Sequence, residues 1–159
     1  MKQSPQLVLQ GSSRKGFGGA RRHCTRILLL LCGLLLCLPV VPQTLVAHPG
    51  VSVKHIDRNM ARSFFSMRLI EWSDGTPVRV FVFDDKHPLH VEFCQRELGV
   101  FPQQLRRAWD RMVFAGLGQS PTQVITIEEM RERIANTPGA IGYLPKDEID
   151  ETVRQLPKK

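Results

Sequence analysis

The chain has 159 residues, with 22 Lys and Arg against 15 Asp and Glu, a formal charge of +7, and four cysteines. That length suffices for one domain with its own core. Cys24, Cys32 and Cys37 all lie in the first 47 residues, so Cys94 alone remains beyond them, and an internal disulfide there is excluded.

The first 47 residues differ from the rest. Residues 1–26 carry Lys2, Arg14, Lys15, Arg21, Arg22 and Arg26 and no acidic residue, and Ile27–Val41 is an apolar run of 15 residues interrupted by Gly33 and Pro39. A basic stretch, a short apolar stretch and a small residue beyond it describe a secretory signal, residues 1–47, cut after Ala47. The alternative is an uncleaved signal anchor through residues 27–41, although the run is shorter than the ~20 apolar residues of a usual span. The rest of a twin-arginine motif does not surround Arg21-Arg22, and neither Cys32 nor Cys37 has a lipoprotein context. Without residues 1–47 the chain keeps 16 Lys and Arg against 15 Asp and Glu, a charge of +1. The basic excess therefore belongs to the leader, where it sets orientation. It is not the basic patch of a nucleic-acid-binding domain.

Residues 48–159 are read as one domain. Valines in Val46–Val53 suggest a short strand, broken by His48-Pro49-Gly50. Asp57 is a plausible N-cap for a helix carrying Met60, Phe64, Phe65, Met67 and Leu69. Trp72–Pro77 reads as a turn. Val78–Phe83 is the clearest strand, apolar on both faces near its end and so expected inside a sheet covered by helices. Asp84–His87 forms the loop after it, and Pro88 opens a helix through Leu89, Phe93 and Leu98 that Gly99 stops.

A second Pro-initiated helix starts at Phe101-Pro102, with Leu105, Ala108, Trp109, Met112 and Val113 as its apolar face, and ends at Gly116 and Gly118. Gln119–Ile125 is a loop with an extended segment. Thr126 and Glu129 have capping-box spacing for a helix through Met130, Ile134 and Ala135. Pro138-Gly139 then turns the chain into a buried strand, Ala140–Leu144, where Gly142 implies close approach of a backbone or ligand. The polar tail Lys146–Leu156 reads as a short helix. Strands separated by helical crossovers imply an α/β fold with a small, mainly parallel sheet flanked by helices, in which ligands sit beyond the carboxyl ends of strands.

Several groups of residues have spacings that bear on chemistry. His87, His90 and Cys94 are spaced i, i+3 and i+7, with Glu97 three beyond, a spacing that suits a soft metal. However, His87 falls outside the helix and Cys94 on its core side, and the reading is of no metal and no cofactor. An amino-terminal His48 would offer copper an amine and an imidazole, with His55, His87 or His90 as the further ligand, but it depends on the cut after Ala47. Asp84-Asp85 reads as a pair of solvated loop carboxylates. No Gly-x-Ser-x-Gly, phosphate-loop or His-Glu-x-x-His motif occurs, so the chain is read as a non-enzyme. Arg106, Arg107 and Arg111 line a helix face interleaved with Asp110, a solvated pattern, and Trp72, Phe81, Phe83 and Trp109 are assigned to the core.

Four pieces, in order, resemble one family: Phe64-Phe65 followed by Trp72-Ser73-Asp74-Gly75; Val78–Phe83 followed by Pro88-Leu89-x-x-x-Phe93; Gln104-Leu105-x-x-x-Trp109-x-x-x-Val113-Phe114-x-Gly116-x-Gly118; and Thr137-Pro138-Gly139-Ala140-Ile141-Gly142-Tyr143. Over residues 46–150 the chain is similar to the phosphate ABC transporter substrate-binding proteins, and in length to one lobe of such a type 2 periplasmic binding protein. The resemblance implies export, a small oxyanion such as phosphate as ligand, and a membrane transporter as partner. It places ligand contacts at Asp85, Lys86, His87, Leu89 and His90, with helix amides as donors, since a helix N-terminus favours anions. Two positions depart from the family: His87 stands where a serine or threonine precedes the helix, and Met67 where the first helix usually ends in glycine. The alternative implied is an envelope protein–protein interaction module that no longer captures ligand.

Overall fold

The computed structural model describes residues 42–158. Its sheet has five strands: β1 (Gln43–Ala47), β2 (Arg79–Val82), β3 (Thr122–Gln123), β4 (Ala140–Pro145) and β5 (Arg154–Gln155), in the order β3-β2-β4-β1-β5. The helices are α1 (Arg58–Phe65), α2 (Pro88–Phe93), α3 (Pro102–Phe114) and α4 (Ile127–Asn136). The parallel heart, β3-β2-β4, follows from the helical crossovers. On its other side β1 runs antiparallel to β4 and to β5. The α/β class expected from the strand and helix order is the one observed.

Helix starts follow local chemistry. Asp57 Oδ1 accepts the Met60 amide at 2.7 Å and caps α1. Thr126 Oγ1 accepts the Glu129 amide at 3.1 Å and caps α4, while the Glu129 carboxylate reaches back to the Ile125 amide at 2.9 Å. Pro88 and Pro102 occupy first turns of α2 and α3. The helix begun by α2 continues to Leu98, but over Cys94–Leu98 it widens to π-helical winding before Gly99 ends it with φ 66°.

Successive residues of β4 face opposite sides of the sheet. On one side Tyr143 stacks on Phe93 at 3.9 Å and lies near Phe65, which belong to α2 and α1. On the other side Gly142 lies under α4: a Cβ there would come within 2.6 Å of Ile134 and 2.8 Å of Met130. The close approach expected at Gly142 is thus made by helix side chains. Val80, Phe81, Val82 and Phe83 are buried on both faces, as a covered internal strand requires.

The two turns singled out in the sequence meet. The Trp72 indole donates to the Gly139 carbonyl at 2.9 Å. Gly139 has φ 75°, and a Cβ there would meet the Pro77 carbonyl at 2.2 Å, so glycine is required. Trp109 likewise donates to the Phe65 carbonyl at 2.7 Å, giving a buried indole its partner. Met67, after α1, has φ 60°, the left-handed conformation for which glycine is the unstrained residue.

Four expectations shift. The first strand is Gln43–Ala47 rather than Val46–Val53, because His48 opens a turn in which its own carbonyl accepts the Val51 amide. Those five residues, assigned to the leader by a cut after Ala47, form β1, between β4 and β5. The tail is not a helix: Lys146–Glu148 makes one 3₁₀ turn and Arg154–Gln155 pairs with β1 as β5. Val113 is exposed rather than part of the apolar face of α3, whose buried residues are Pro102, Leu105 and Trp109. The apolar run 27–41 lies outside the described residues; within them no helix is long and apolar enough to cross a membrane.

Candidate functional site at the start of α2

Strand β2 delivers the chain to a tight loop at its carboxyl end. Asp84 organises it: its Oδ1 accepts the Lys86 amide at 3.0 Å, and its carbonyl accepts the His87 amide at 2.9 Å. His87 then takes the N-cap position of α2 with extended backbone but makes no side-chain cap bond. The first helical bond runs from the Val91 amide to the His87 carbonyl at 3.1 Å. The amides of Leu89 and His90 precede it and have no helical acceptor, and Pro88 has no N–H. Lys86 is exposed beside them.

The candidate side chains separate on inspection. The His87 ring stacks on Phe83 at 4.4 Å with 17° between planes, which hides its Nδ1 without a hydrogen-bond partner. Asp85 turns away from the helix start: both its oxygens accept from Arg106 of α3, each at 3.0 Å, in a bidentate fork. The Arg106 guanidinium also lies 4.9 Å from the Trp109 ring. Asp85 therefore ties α3 to the loop. Leu89 is half-buried against the core.

His90 is fully buried, so its imidazole belongs to the interior and only its amide lies at the helix start. Its Nδ1 is 2.6 Å from the Tyr143 hydroxyl, which accepts the Phe83 amide at 3.0 Å. His90 Nδ1 is the one acceptor within reach of the Tyr143 hydroxyl among the described residues, so pairing that buried hydrogen has Tyr143 donate to Nδ1 and leaves the imidazole proton on Nε2, 3.5 Å from Cys94 Sγ. Burial holds His90 down to about 4 and pushes Cys94 up to about 12, which makes both neutral near pH 7. Burial also pushes Tyr143 well above its usual range. His90 and Cys94 are thus partners in a neutral chain of hydrogen bonds. Among the described residues no three His, Cys, Asp or Glu side chains converge as a metal site would require.

Sequence reasoning missed Arg106 and Tyr143. Arg106 was absorbed in a charged helix face, and its partner Asp85 lies 21 residues away. Tyr143, the chain's single tyrosine, sits in an apolar strand where nothing local marks its hydroxyl as an acceptor for the end of β2.

No protein-family model matches the chain, and no curated protein matches it. Solved structures do. One is an ABC-type phosphate transport receptor from Vibrio cholerae, with a TM-score of 0.56 and 12% identity over 73% of this chain and 45% of that one. Another, from Clostridium perfringens, is assigned as a phosphate ABC transporter substrate-binding protein and has bound phosphate; its TM-score is 0.60 at 15% identity over 73% of this chain and 44% of that one. A third is PstS from Borrelia burgdorferi, at 0.54 and 13% over 74% and 47%. The chain spans less than half the length of each. At these identities the likeness is one of fold: an α/β unit similar to part of phosphate-type transport receptors.

Proposed function

We propose that the chain is an exported, non-enzymatic solute-binding-type lobe that takes a small oxyanion of the phosphate class at the start of α2. The observation that carries this reading is the pair of amides, Leu89 and His90, left without helical acceptors at the carboxyl end of an internal parallel strand. Such a position concentrates donors and the positive end of the peptide dipoles. Lys86 adds mobile positive charge, and the Asp85 carboxylate, which would repel an anion, is neutralised by Arg106. The fold likeness, in one case to a structure with bound phosphate, supports the ligand class. With two amides and one exposed lysine as its donors, the start of α2 is expected to bind weakly.

A dissociation constant of about 1 mM would make ~20 mM phosphate stabilise the protein by roughly 2 kcal/mol, a shift of several degrees in melting temperature. Lys86→Ala should weaken phosphate binding about three- to tenfold, the range of an exposed charge-assisted contact. Titration calorimetry and thermal shift with phosphate and sulfate decide the matter. If neither anion moves the melting temperature at that concentration, the reading fails.

A second reading, docking onto another envelope protein such as a membrane transporter, rests on a different observation. At and beyond the end of α3, Val113, Phe114 and Leu117 expose 44%, 89% and 65% of their surface. Exposed apolar side chains grouped in this way mark interaction surfaces. Cross-linking in an envelope fraction that is lost with Phe114→Ser and Leu117→Ser, yet insensitive to Lys86→Ala, would favour docking as the principal role.

A further inference from the structure

We propose that two copies of the chain pair antiparallel through the free edge of β3 and form a weak, closed dimer. Strand β3 is outermost on its side of the sheet and bonds only to β2. The Val124 amide donates to the Val82 carbonyl at 2.9 Å, so Val124, and Thr122 two before it, turn their backbone groups toward β2. Gln123 between them turns its N–H and C=O away from the sheet. Gln123 is exposed, and neither of these groups has a partner among the described residues.

The open stretch is one residue wide. Pro121 has no N–H, and the Ile125 amide is already taken by the Glu129 carboxylate at 2.9 Å. A longer strand from another protein would find no ladder to extend. A second copy is matched to this edge: with Gln123 opposite Gln123, each N–H meets the other's C=O, and both copies fill their open pair at once. Such a contact uses the same patch on both partners, so it ends at two copies instead of growing into a fibre.

The side chains around the edge suit the same partner. Phe114 ends α3, Leu117 lies in the connection from α3 to β3, and Ile125, 83% exposed, follows β3. Met112–Ile127 holds no charged residue over 16 positions, the longest such stretch within residues 42–158. Single sheet edges are commonly kept apart by charge; here nothing charged repels an identical face, and a charged partner finds nothing to pair with. Beyond residue 47 the chain carries only +1, so two copies meet with little net repulsion. Phe114, Leu117 and Ile125 of each copy then pack about the two backbone bonds, covering apolar surface that one copy leaves in water.

The test uses the full chain as a bacterial host matures it, purified and followed by sedimentation velocity from roughly 1 μM to 1 mM. A contact this small is expected to give a reversible monomer–dimer equilibrium within that range. Phe114→Lys with Ile125→Lys should weaken it at least about tenfold while near-ultraviolet circular dichroism stays the same, because both side chains are exposed. Position is read by cysteine substitution. Facing Cα atoms of a hydrogen-bonded antiparallel pair lie about 5.5 Å apart, within disulfide reach. Gln123→Cys should therefore oxidise to a covalent dimer, whereas Gln103→Cys, exposed near the other end of α3, and the unmodified protein should not. A monomer at ~1 mM, assembly beyond two copies, a dimer indifferent to the two lysines, or cross-linking at Gln103→Cys as fast as at Gln123→Cys would overturn the proposal. None of these readouts involves phosphate, so the dimer and the oxyanion reading stand or fall separately.

Discussion

A chain that starts at His48 is expected not to fold, whereas one that starts at Gln43 unfolds cooperatively. The difference is five residues, but they occupy the position between β4 and β5. Burying Leu45 and Val46 is worth about 1.5–3 kcal/mol each, and the lost backbone bonds add roughly 0.5–1.5 kcal/mol apiece. β5 pairs only with β1, so Arg154–Gln155 would lose its place as well. The total compares with the whole stability of a small domain, ~5–15 kcal/mol. β4 would also become an edge strand, although all six of its residues are buried in the intact sheet, and an exposed apolar edge invites aggregation. Near-ultraviolet circular dichroism, thermal melts and gel filtration of the two chains check this. A cooperative melt of the His48 chain within about 5 °C of the longer one would show that β1 is dispensable.

Legibility in the sequence followed the range of the forces involved. Val78–Phe83 could be read as an internal strand because β-branched and aromatic residues leave it no solvated face. The starts of all four helices were readable because Asp57, Pro88, Pro102 and Thr126 act on backbone groups within one turn. β1 was hidden because its apolar residues, Leu45–Ala47, lie only three residues beyond the leader's apolar run and end at the small residue that reads as a cleavage position. The carboxyl tail was misread because Arg154–Gln155 is a strand only through β1, more than a hundred residues away in the chain. The same division runs through the candidate site. A loop at the end of β2, opened by Pro88, was visible locally. That Asp85 is engaged by Arg106, that His87 lies flat on Phe83 and that His90 turns inward all depend on tertiary packing. The departure at Met67 was legible in a different way: a side chain stands where the backbone takes φ 60°.

Stability should fall as pH drops from about 6.5 toward 4, and His90 should account for most of that slope above the range where carboxylates titrate. An unfolded histidine protonates near 6.5, while His90 in the folded protein is held down to about 4. Burial is the main cause. Arg106 and His87 act in the same direction, and Asp85 and Asp84 oppose it. Between these two values the unfolded chain binds the proton and the folded one does not, so each step down in pH favours unfolding. A histidine with a lowered folded pKa therefore contributes fully above the unfolded value, and its contribution is lost as pH falls through the folded one. The size is about 3 kcal/mol in all. The geometry explains why the folded state resists the proton. Nδ1 already receives the Tyr143 hydroxyl hydrogen at 2.6 Å, and that hydroxyl is fixed by accepting the Phe83 amide. Protonating Nδ1 would set donor against donor unless Tyr143 turned its hydrogen elsewhere, inside a packed core. His90→Gln keeps an acceptor for Tyr143 and removes the titration, so its urea midpoint should change less between pH 7 and pH 4.5 than that of the unmodified protein. Tyr143→Phe removes the central hydroxyl, orphans both the Phe83 amide and His90 Nδ1, and should cost roughly 2–6 kcal/mol at pH 7, given about 1–3 kcal/mol for each buried group left unpaired. Equal pH slopes for the unmodified and His90→Gln proteins would sink the titration argument, and a Tyr143→Phe protein within about 0.5 kcal/mol of the original would show that the hydrogen-bonded chain does not hold the end of β2 against α2.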